Sequence, residues 1–257
     1  MNKFENVVIF GASQGIGKAL ALEYISAGSK LVILSRNAAQ TKLLSEEITA
    51  GGGKCYYLTC DITSTESVKS GIIFAAEKLG KIDLVIINSG VGGPNWMESF
   101  SSKQFADTFE VNTFGIAHVL EYIIPFMVKQ GYGTIAGVTS LADVRGYGGS
   151  SSYSASKAAA SILLEAARVE LKDKNIMVIT VRPGFVKTAM TDKNEFKMPF
   201  LLQPNEAAKK IANGIAKGRT IVQFPFPIVW ATRIVKFLPN WIYDWGMSKA
   251  RPVKKDK

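Results

Sequence analysis

The sequence predicts an α/β fold, a single doubly wound domain whose central parallel sheet of about seven strands has helices on both faces. Short apolar runs without polar alternation, typical of strands buried on both faces, lie at 7–10, 31–34, 55–60, 82–87, 134–138, 177–181 and 220–224. Helix-length stretches separate them, as in repeated right-handed strand–helix units. The length of 257 residues and the 47% hydrophobic content favour one large domain over 1–257.

Residues typical of helix ends delimit the stretches between the strands. Thr63 and Glu66 have the spacing of a capping box at the start of the third helix. The first helix is predicted to end at Gly28 and the second near Gly51, because glycine is favoured just past a helix C-terminus. Residues 183–203 show little periodicity and predict a substrate loop.

Composition and charge exclude several classes of protein. The net charge of +10 suits an anionic cofactor or an anionic membrane surface, but no nucleic-acid-binding module accompanies it. Cys55 and Cys60 are too few for a disulfide framework and lack metal-ligand spacing, which predicts free thiols and no metal. No signal peptide and no apolar run of ~18 residues are visible, so we expect a cytoplasmic protein. His118 lies in an apolar pattern and is interpreted as structural.

A glycine-rich turn joins the first strand to the first helix. Gly11, Gly15 and Gly17 allow a tight turn and a close backbone approach to a ligand. The helix N-terminus that follows offers free N–H groups and a positive dipole end to a pyrophosphate. A plain turn is the alternative, but the position between a buried strand and a helix favours a nucleotide site.

The end of the second strand bears on which nucleotide binds. Dinucleotide sites that take NAD place an acidic residue ~20 positions beyond the glycines, on the ribose 2′-hydroxyl. Ser35 stands there, followed by Arg36. A guanidinium matches phosphate geometry, so the pair favours NADP(H), with a solvated loop arginine as the alternative.

The stretch "YSASK" places a phenol and an ammonium one helical turn apart. If 151–173 is a helix, Tyr153 and Lys157 share a face. A nearby ammonium favours the phenolate and lowers its pKa, which would make the pair a tunable acid/base. Ser140 follows a predicted strand, at the sheet edge where such folds bind ligands. Asn112 is a polar residue between apolar neighbours; a solvated helix position is its alternative.

Together these pieces resemble the short-chain dehydrogenase/reductase family, a Rossmann-fold family. The resemblance runs from about Asn6 to about Thr188, most of the chain. It rests on "GASQGIG", "CDIT", "NSG", Asn112, Ser140, "YSASK" and "RPGFVKT". The sequence departs from the family pattern at Phe10, usually Thr, at Ser89, usually Ala, and at Thr139, commonly Ser.

The resemblance implies a role for each matched residue. Tyr153 is the general acid/base, Lys157 holds the nicotinamide ribose and lowers the tyrosine pKa, Ser140 bonds the substrate oxygen, and Asn112 maintains a water in a proton relay. Asp61 and Ile62 contact adenine, Asn88 and Gly90 border its ribose, Val186 and Thr188 bind the carboxamide, and Ser13 and Arg36 take the 2′-phosphate. The predicted cofactor-binding set is Gly11, Ser13, Gly15, Ile16, Gly17, Ser35, Arg36, Asp61, Ile62, Asn88, Gly90, Tyr153, Lys157, Pro183, Gly184, Val186 and Thr188.

The predicted reaction is hydride transfer between NADP(H) and a carbonyl or secondary alcohol. Segments 91–97, 141–150 and 185–200 are expected to face the substrate, and we predict a lipophilic one. The candidate pocket residues are Trp96, Met97, Tyr147, Phe185, Phe196, Met198 and Phe200. Asp143 and Arg145 are expected to pair or to line the pocket. The alternatives are a non-catalytic nucleotide-binding scaffold and a peripheral membrane-binding protein on the same fold.

A homo-oligomer and a distinct C-terminal segment are expected. The resemblance implies a homo-oligomer that pairs through the helices holding Asn112 and Tyr153. Residues 224–257 form an aromatic and basic C-terminal extension with three tryptophans, a predicted helix at 228–238 stopped by Pro239, and a basic tail. Its predicted apolar side includes Ala231 and Ile234, and its polar side Thr232. Such a segment suits peripheral contact with an anionic membrane, or else caps the pocket or packs between subunits.

Overall fold

The computed structural model describes residues 4–194 and 196–249. All seven predicted strands form, and they pair in parallel in the order β3-β2-β1-β4-β5-β6-β7. The strands are β1 Asn6–Phe10, β2 Lys30–Ser35, β3 Cys55–Thr59, β4 Leu84–Ile87, β5 Gly133–Val138, β6 Ile176–Pro183 and β7 Ile221–Phe224. The predicted α/β fold with a central parallel sheet is confirmed.

Helices cover both faces of this sheet. They are α1 Gly15–Ser26, α2 Ala38–Ala50, α3 Thr65–Leu79, α4 Ser102–Phe109, α5 Gly115–Gln130, α6 Ser151–Glu170, α7 Pro204–Ala216, α8 Phe226–Phe237 and α9 Asn240–Lys249. Alternate residues of β1 explain the two layers: Val7 and Ile9 enter the core under α1, α2 and α7, whereas Val8 and Phe10 enter the core under α3, α5 and α6. Phe10 is thus a core residue.

Gly28 and Gly51 mark helix ends as predicted, and two other helix ends differ from the sequence prediction. Gly51 caps α2 as predicted. The first turn of α3 is capped by Ser64, whose hydroxyl accepts from the N–H of Ser67 at 3.2 Å, because Thr63 instead bonds Asp61. Gly28, with φ +83°, directly follows the C-cap residue Ala27 of α1, as predicted, whereas α6 ends at Glu170 before a 3-10 turn at Lys172–Lys174.

A π-helical turn, Glu110–Phe114, joins α4 to α5 and carries Asn112. The continuous helical segment Ser102–Gln130 has a mean hydropathy of 1.4 in its most apolar stretch, enough by length and composition to cross a membrane. The expectation of no such segment was wrong by this measure, because it required an uninterrupted apolar run. We interpret the segment as a core helix, since Ile116, Val119 and Ile123 are fully buried beneath the sheet.

The predicted loop between β6 and α7 is irregular but folded back on itself. The N–H of Lys187 donates to Leu202 O at 2.9 Å, and the N–H of Leu202 donates to Phe185 O at 3.0 Å. A 3-10 turn covers Thr191–Lys193 between them. The two ends of the loop are therefore held together just after β6.

The C-terminal extension forms two helices instead of one. Helix α8 ends before Pro239 as predicted, and α9 follows. The predicted division of α8 into faces was partly wrong: Ala231 and Ile234 are exposed, whereas Thr232 is half-buried. The direction in which α8 leaves β7 decides this, and it turns Val229 inward. The basic tail lies, apart from Lys249, in residues 250–257, outside the described residues.

Candidate active site and cofactor cleft

A cavity of about 630 Å³ opens at the carboxyl ends of the strands. It lies where the chain order reverses between β1 and β4, the position at which open α/β sheets bind ligands. The sequence-predicted site residues that line it are Gly11, Ser13, Gly15, Ile16, Ser35, Arg36, Asp61, Ile62, Asn88, Gly90, Ser140, Tyr153, Lys157, Pro183, Gly184, Val186 and Thr188. Gly17 and Asn112 lie behind its wall.

The glycine-rich turn has no room for side chains. Gly11 has φ +76°, and a Cβ there would lie 2.7 Å from the Ser89 nitrogen. A Cβ on Gly17 would overlap the carbonyl oxygen of Gly11, so the third glycine serves close packing below the turn. No side chain caps the N-terminus of α1, and no acidic residue lies in its first turn. The backbone N–H groups of the turn and the positive end of the α1 dipole are therefore free to bind a pyrophosphate.

At the end of β2, the cleft wall is polar and cationic. The buried Ser35 hydroxyl donates to the Ser13 hydroxyl oxygen at 3.0 Å. Arg36 is exposed at the cavity edge, and Asn37 caps α2 by accepting from the N–H of Gln40 at 3.1 Å. Ser13 and Arg36, far apart in sequence, thus lie at one end of the cleft, as a 2′-phosphate site requires.

Asp61 is the carboxylate on this part of the wall. Its Oδ1 accepts from the backbone N–H of Thr63 at 3.0 Å and from the Thr63 hydroxyl at 2.8 Å. Burial raises the pKa of Asp61, but these hydrogen bonds and the charge of Arg36 outweigh it, so the pKa lies below its usual range. The side chain is therefore occupied in holding its own turn.

The fully buried Asn112 shapes the middle of the cleft from behind. Its Oδ1 accepts from the N–H of Val91 at 2.8 Å, and its Nδ2 donates to Val91 O at 2.9 Å and to the Ser156 hydroxyl at 3.0 Å. The amide thus pairs with the backbone of the Gly90–Val91 wall. The solvated alternative for Asn112 is excluded, and the water relay stays a prediction.

Ser140, Tyr153 and Lys157 meet at the far end of the cavity. Ser140 stands at the end of β5, where its hydroxyl accepts from the N–H of Ala142 at 3.1 Å. Tyr153 and Lys157 share one face of α6, with the Lys157 ammonium 5.9 Å from the centre of the tyrosine ring. The buried ammonium donates to Val138 O at 2.9 Å. The Tyr153–Lys157 pair therefore lies in the cavity wall.

The electrostatics of this pair differ from the sequence expectation. The pKa of Tyr153 is raised above its ordinary value by burial, while a hydrogen bond with Ser140 opposes the rise and the charge of Asp143 adds to it. The Lys157 ammonium is turned to Val138 O, and its effect on the phenol stays a prediction. Burial also lowers the pKa of Lys157 to about 8. A phenol with a raised pKa keeps its proton at neutral pH, which suits a proton donor.

Asp143 and Arg145 do not pair with each other. Arg182 Nε donates to Asp143 Oδ1 at 3.1 Å, its Nη2 bonds the same oxygen, and the Ser161 hydroxyl donates to Oδ2 at 2.5 Å. Arg145 Nη1 donates to Leu238 O at 3.2 Å. Sequence reasoning missed Arg182, which has no local signal beyond its place in "RPG".

The substrate wall differs most from prediction. Among the described residues, Val91, Ala189, Met190 and Thr191 also line the cavity. A Cβ on Gly92 would lie 3.1 Å from Tyr153 Cδ2 and 3.3 Å from Met190 Sδ, which places Met190 beside the phenol. Segments 91–97 and 185–200 therefore contribute to the lining, whereas segment 141–150 does not. The predicted large side chains do not contribute either: the cavity lining contains none of Trp96, Met97, Tyr147, Phe185, Phe196, Met198 or Phe200.

Those large side chains point elsewhere because their loops pack on themselves. Trp96 covers Gly149, where a Cβ would lie 2.7 Å from its ring, and Phe185 packs edge-on against Phe196. Met97 and Phe200 are exposed. Further cavity residues that sequence reasoning missed are Gln14, Asn37, Gln40, Cys60, Ser89, Val111, Val138 and Thr139.

The residues interpreted as structural keep that role. His118 Nδ1 bonds Ile62 O at 3.0 Å and so supports the cleft wall. Cys55 and Cys60 are buried free thiols whose pKa values burial raises. Across the described part of the chain, no cluster of histidine, cysteine and carboxylate side chains could hold a metal ion.

Comparison with known proteins gives one family. Residues 5–198 match the short chain dehydrogenase family. An uncharacterised oxidoreductase of Myxococcus xanthus (strain DK1622) is 33% identical over 248 residues, which are 96% of this chain and 98% of the relative. The 7alpha-hydroxysteroid dehydrogenase of Escherichia coli (strain K12) is 35% identical over 196 residues, 74% of this chain and 76% of that enzyme.

Solved structures agree. A 7 alpha-hydroxysteroid dehydrogenase complexed with NADH and 7-oxo glycochenodeoxycholic acid superposes with a TM-score of 0.80 at 30% identity, covering 86% of this chain and 93% of that one. A short chain dehydrogenase/reductase from Burkholderia phymatum in complex with NAD has a TM-score of 0.85 over 100% and 99% of the two chains; at 22% identity it supports the fold alone.

Proposed function

The chain belongs to the short-chain dehydrogenase/reductase family of NAD(P)-dependent oxidoreductases, and on that premise we propose that it is an NADP-dependent enzyme acting on a lipophilic carbonyl or secondary alcohol. The observation that carries the proposal is a single cavity with Ser140, Tyr153 and Lys157 at one end and the glycine turn with Arg36 at the other. A non-catalytic scaffold would have no use for a buried ammonium beside a phenol.

The site residues divide the chemistry between them. A bound nicotinamide cofactor supplies or accepts the hydride. Tyr153, whose raised pKa keeps it protonated, donates its proton to the substrate oxygen during reduction, and Ser140 hydrogen-bonds that oxygen as negative charge develops. Lys157 lies where it can hold the nicotinamide ribose. Asn112 fixes the Gly90–Val91 wall against which the ring would lie.

The residues at the end of β2 support the proposed preference for NADP(H). An adenosine ribose reaching this end would meet the Ser13 and Ser35 hydroxyls and the Arg36 guanidinium, with no carboxylate at position 35 to repel a 2′-phosphate. Asp61 is turned to Thr63 and is partly neutralised by Arg36. Arg36 is exposed and free to turn toward the phosphate.

The proposal of a lipophilic substrate depends on the apolar part of the cavity wall. Val91, Ala189 and Met190 are apolar, and Gly92 leaves space between the phenol and the Met190 sulfur. No Lys or Arg other than Lys157 lines this end of the cavity, among the residues described, so the site lacks a built-in partner for a substrate carboxylate. The hydroxysteroid dehydrogenases among the relatives are consistent with a bulky alcohol or ketone.

We also propose a cytoplasmic homo-oligomer. Buried free thiols at Cys55 and Cys60 suit a reducing compartment. Helix α6 and the segment leading into α5 expose Ile162, Val169 and Phe114, apolar side chains that a second copy would cover.

A panel of lipophilic ketones and secondary alcohols, assayed with NADPH, NADP, NADH and NAD, tests the proposal. We expect turnover with NADP(H) and loss of nearly all of it in Tyr153→Phe, which should still bind NADPH by fluorescence titration. Turnover of Tyr153→Phe near the wild-type rate would show that the proton comes from another group. NADH preferred over NADPH would overturn the cofactor assignment alone.

A further inference from the structure

Helix α8 carries a row of large apolar side chains on its outer side. Phe226, Trp230, Ile234 and Phe237 follow one another at helical spacing and are 73%, 49%, 60% and 82% exposed. Trp241 continues the row on α9 and is 74% exposed. We call these five side chains the α8–α9 aromatic face.

Packing within the chain does not account for this face. The inner side of α8 is already used, because Val229 is buried and Ile228 packs against Gly184 at the end of β6. On the outer side, the rings of Phe226 and Trp230 lie 6.1 Å apart, edge to face. Single exposed apolar residues are common on proteins, but a contiguous row of this kind marks an interaction surface.

The charged side chains of α8 are basic. The Arg233 guanidinium lies 5.7 Å from the centre of the Trp230 ring, and Lys236 is exposed on the next turn. Farther along the sequence, residues 249–257 contain five Lys or Arg and one Asp. An aromatic row with cations beside it matches the interface of an anionic bilayer, where Trp and Phe enter the headgroup region and Lys and Arg meet lipid charge.

We propose that the α8–α9 aromatic face binds the surface of an anionic lipid membrane. A second copy of this chain is the alternative partner for this apolar face. A two-fold contact through the same face would bring the Arg233 and Lys236 cations of both copies into one interface. These like charges would repel each other in such an interface, whereas anionic lipid would attract them. Charge complementarity therefore favours the membrane.

The face is joined to the reacting end of the cleft. Arg145, in the loop after Ser140, stacks on the Tyr243 ring of α9 at 4.2 Å and donates to Leu238 O between the two helices. The Tyr243 hydroxyl bonds Gly146 O in the same loop. Membrane contact therefore occurs one loop away from Ser140, an arrangement suited to a substrate that dissolves in lipid.

Vesicle flotation of the full chain tests this proposal without any turnover assay. Wild-type protein is titrated with phosphatidylcholine vesicles and with mixed phosphatidylcholine and phosphatidylserine vesicles, at low and high salt. We expect binding to the anionic vesicles that weakens with salt. Phe237→Asp should bind them about tenfold more weakly or worse, because one exposed aromatic no longer enters the interface. Phe226→Asp, at the other end of the row, should behave alike.

Leu43→Asp is the matched control, since Leu43 is 64% exposed on the distant helix α2. It should bind vesicles as the wild type does, and circular dichroism should show all three variants folded. No flotation of wild type at low salt, or equal binding by Phe237→Asp, would overturn the proposal. A smaller sedimentation coefficient for Phe237→Asp in the absence of lipid would also overturn it and assign the face to a second copy.

Discussion

Arg182 on β6 holds the buried carboxylate of Asp143, in the loop that follows Ser140. Both Nε and Nη2 of the guanidinium bond Asp143 Oδ1, and the Ser161 hydroxyl of α6 bonds Oδ2. The Asp143 side chain is 2% exposed. The Asp143 carboxylate thus ties strand β6 and helix α6 to the loop that follows Ser140, beside the reacting end of the cleft.

Asp143→Asn should destabilise the protein strongly. The substitution leaves the Arg182 guanidinium, 19% exposed, without its counter-charge. Breaking a buried pair in this way costs about 3–5 kcal/mol of unfolding free energy. Urea denaturation measures it, with Asp107→Asn as control, because the Lys103–Asp107 pair is exposed and should contribute at most about 1 kcal/mol. Equal losses for the two variants would contradict the role of Asp143.

The stability contribution of Lys157 should depend on pH. Burial lowers its pKa from 10.5 to about 8 in the folded protein. Between these values the unfolded chain binds more protons at this site than the folded one, so the site's contribution rises with pH across that window. The free energy of unfolding of wild type relative to Lys157→Met should therefore increase from pH about 8 to pH about 10.5. A difference that is flat or falls with pH would refute the lowered pKa.

Arg36→Ala should weaken the binding of NADPH but not that of NADH. Losing a charge-assisted hydrogen bond to the 2′-phosphate should raise the KM for NADPH about tenfold or more, with little change for NADH. Steady-state kinetics with both cofactors measure the split. Ser35→Asp, which places a carboxylate at the end of β2, should shift preference toward NADH. Equal effects of Arg36→Ala on both cofactors would mean that the arginine is only a solvated loop residue.

Ile162→Asp should dissociate the proposed homo-oligomer. Ile162 is 69% exposed on α6, and a buried carboxylate in a subunit interface lacks a partner. Sedimentation velocity at micromolar concentration should show a smaller species than wild type, while Leu43→Asp should sediment as wild type does. A wild-type protein that is already monomeric would refute the oligomer itself.

Local patterns were enough to predict much of the site. The glycine turn, Ser140 after β5, and the Tyr153–Lys157 spacing each depend on a few neighbouring residues and on the strand or helix that carries them. Strand order then brings these segments to one sheet edge, which the parallel fold makes predictable. The choice of Ser64 over Thr63 as helix cap shows the limit of such reasoning, because Thr63 has a competing partner in Asp61.

By itself, the sequence determined the fold class, the family and the residues at both ends of the cleft, because hydrophobic period and motif spacing are local properties. Only the tertiary structure decided which side chains line the cavity around Tyr153, since loop packing brings Met190 beside the phenol. It also decided the Arg182–Asp143 pair, the raised pKa of Tyr153 and the outer face of α8. Each of these depends on burial and on contacts between segments distant in sequence, which no local pattern encodes.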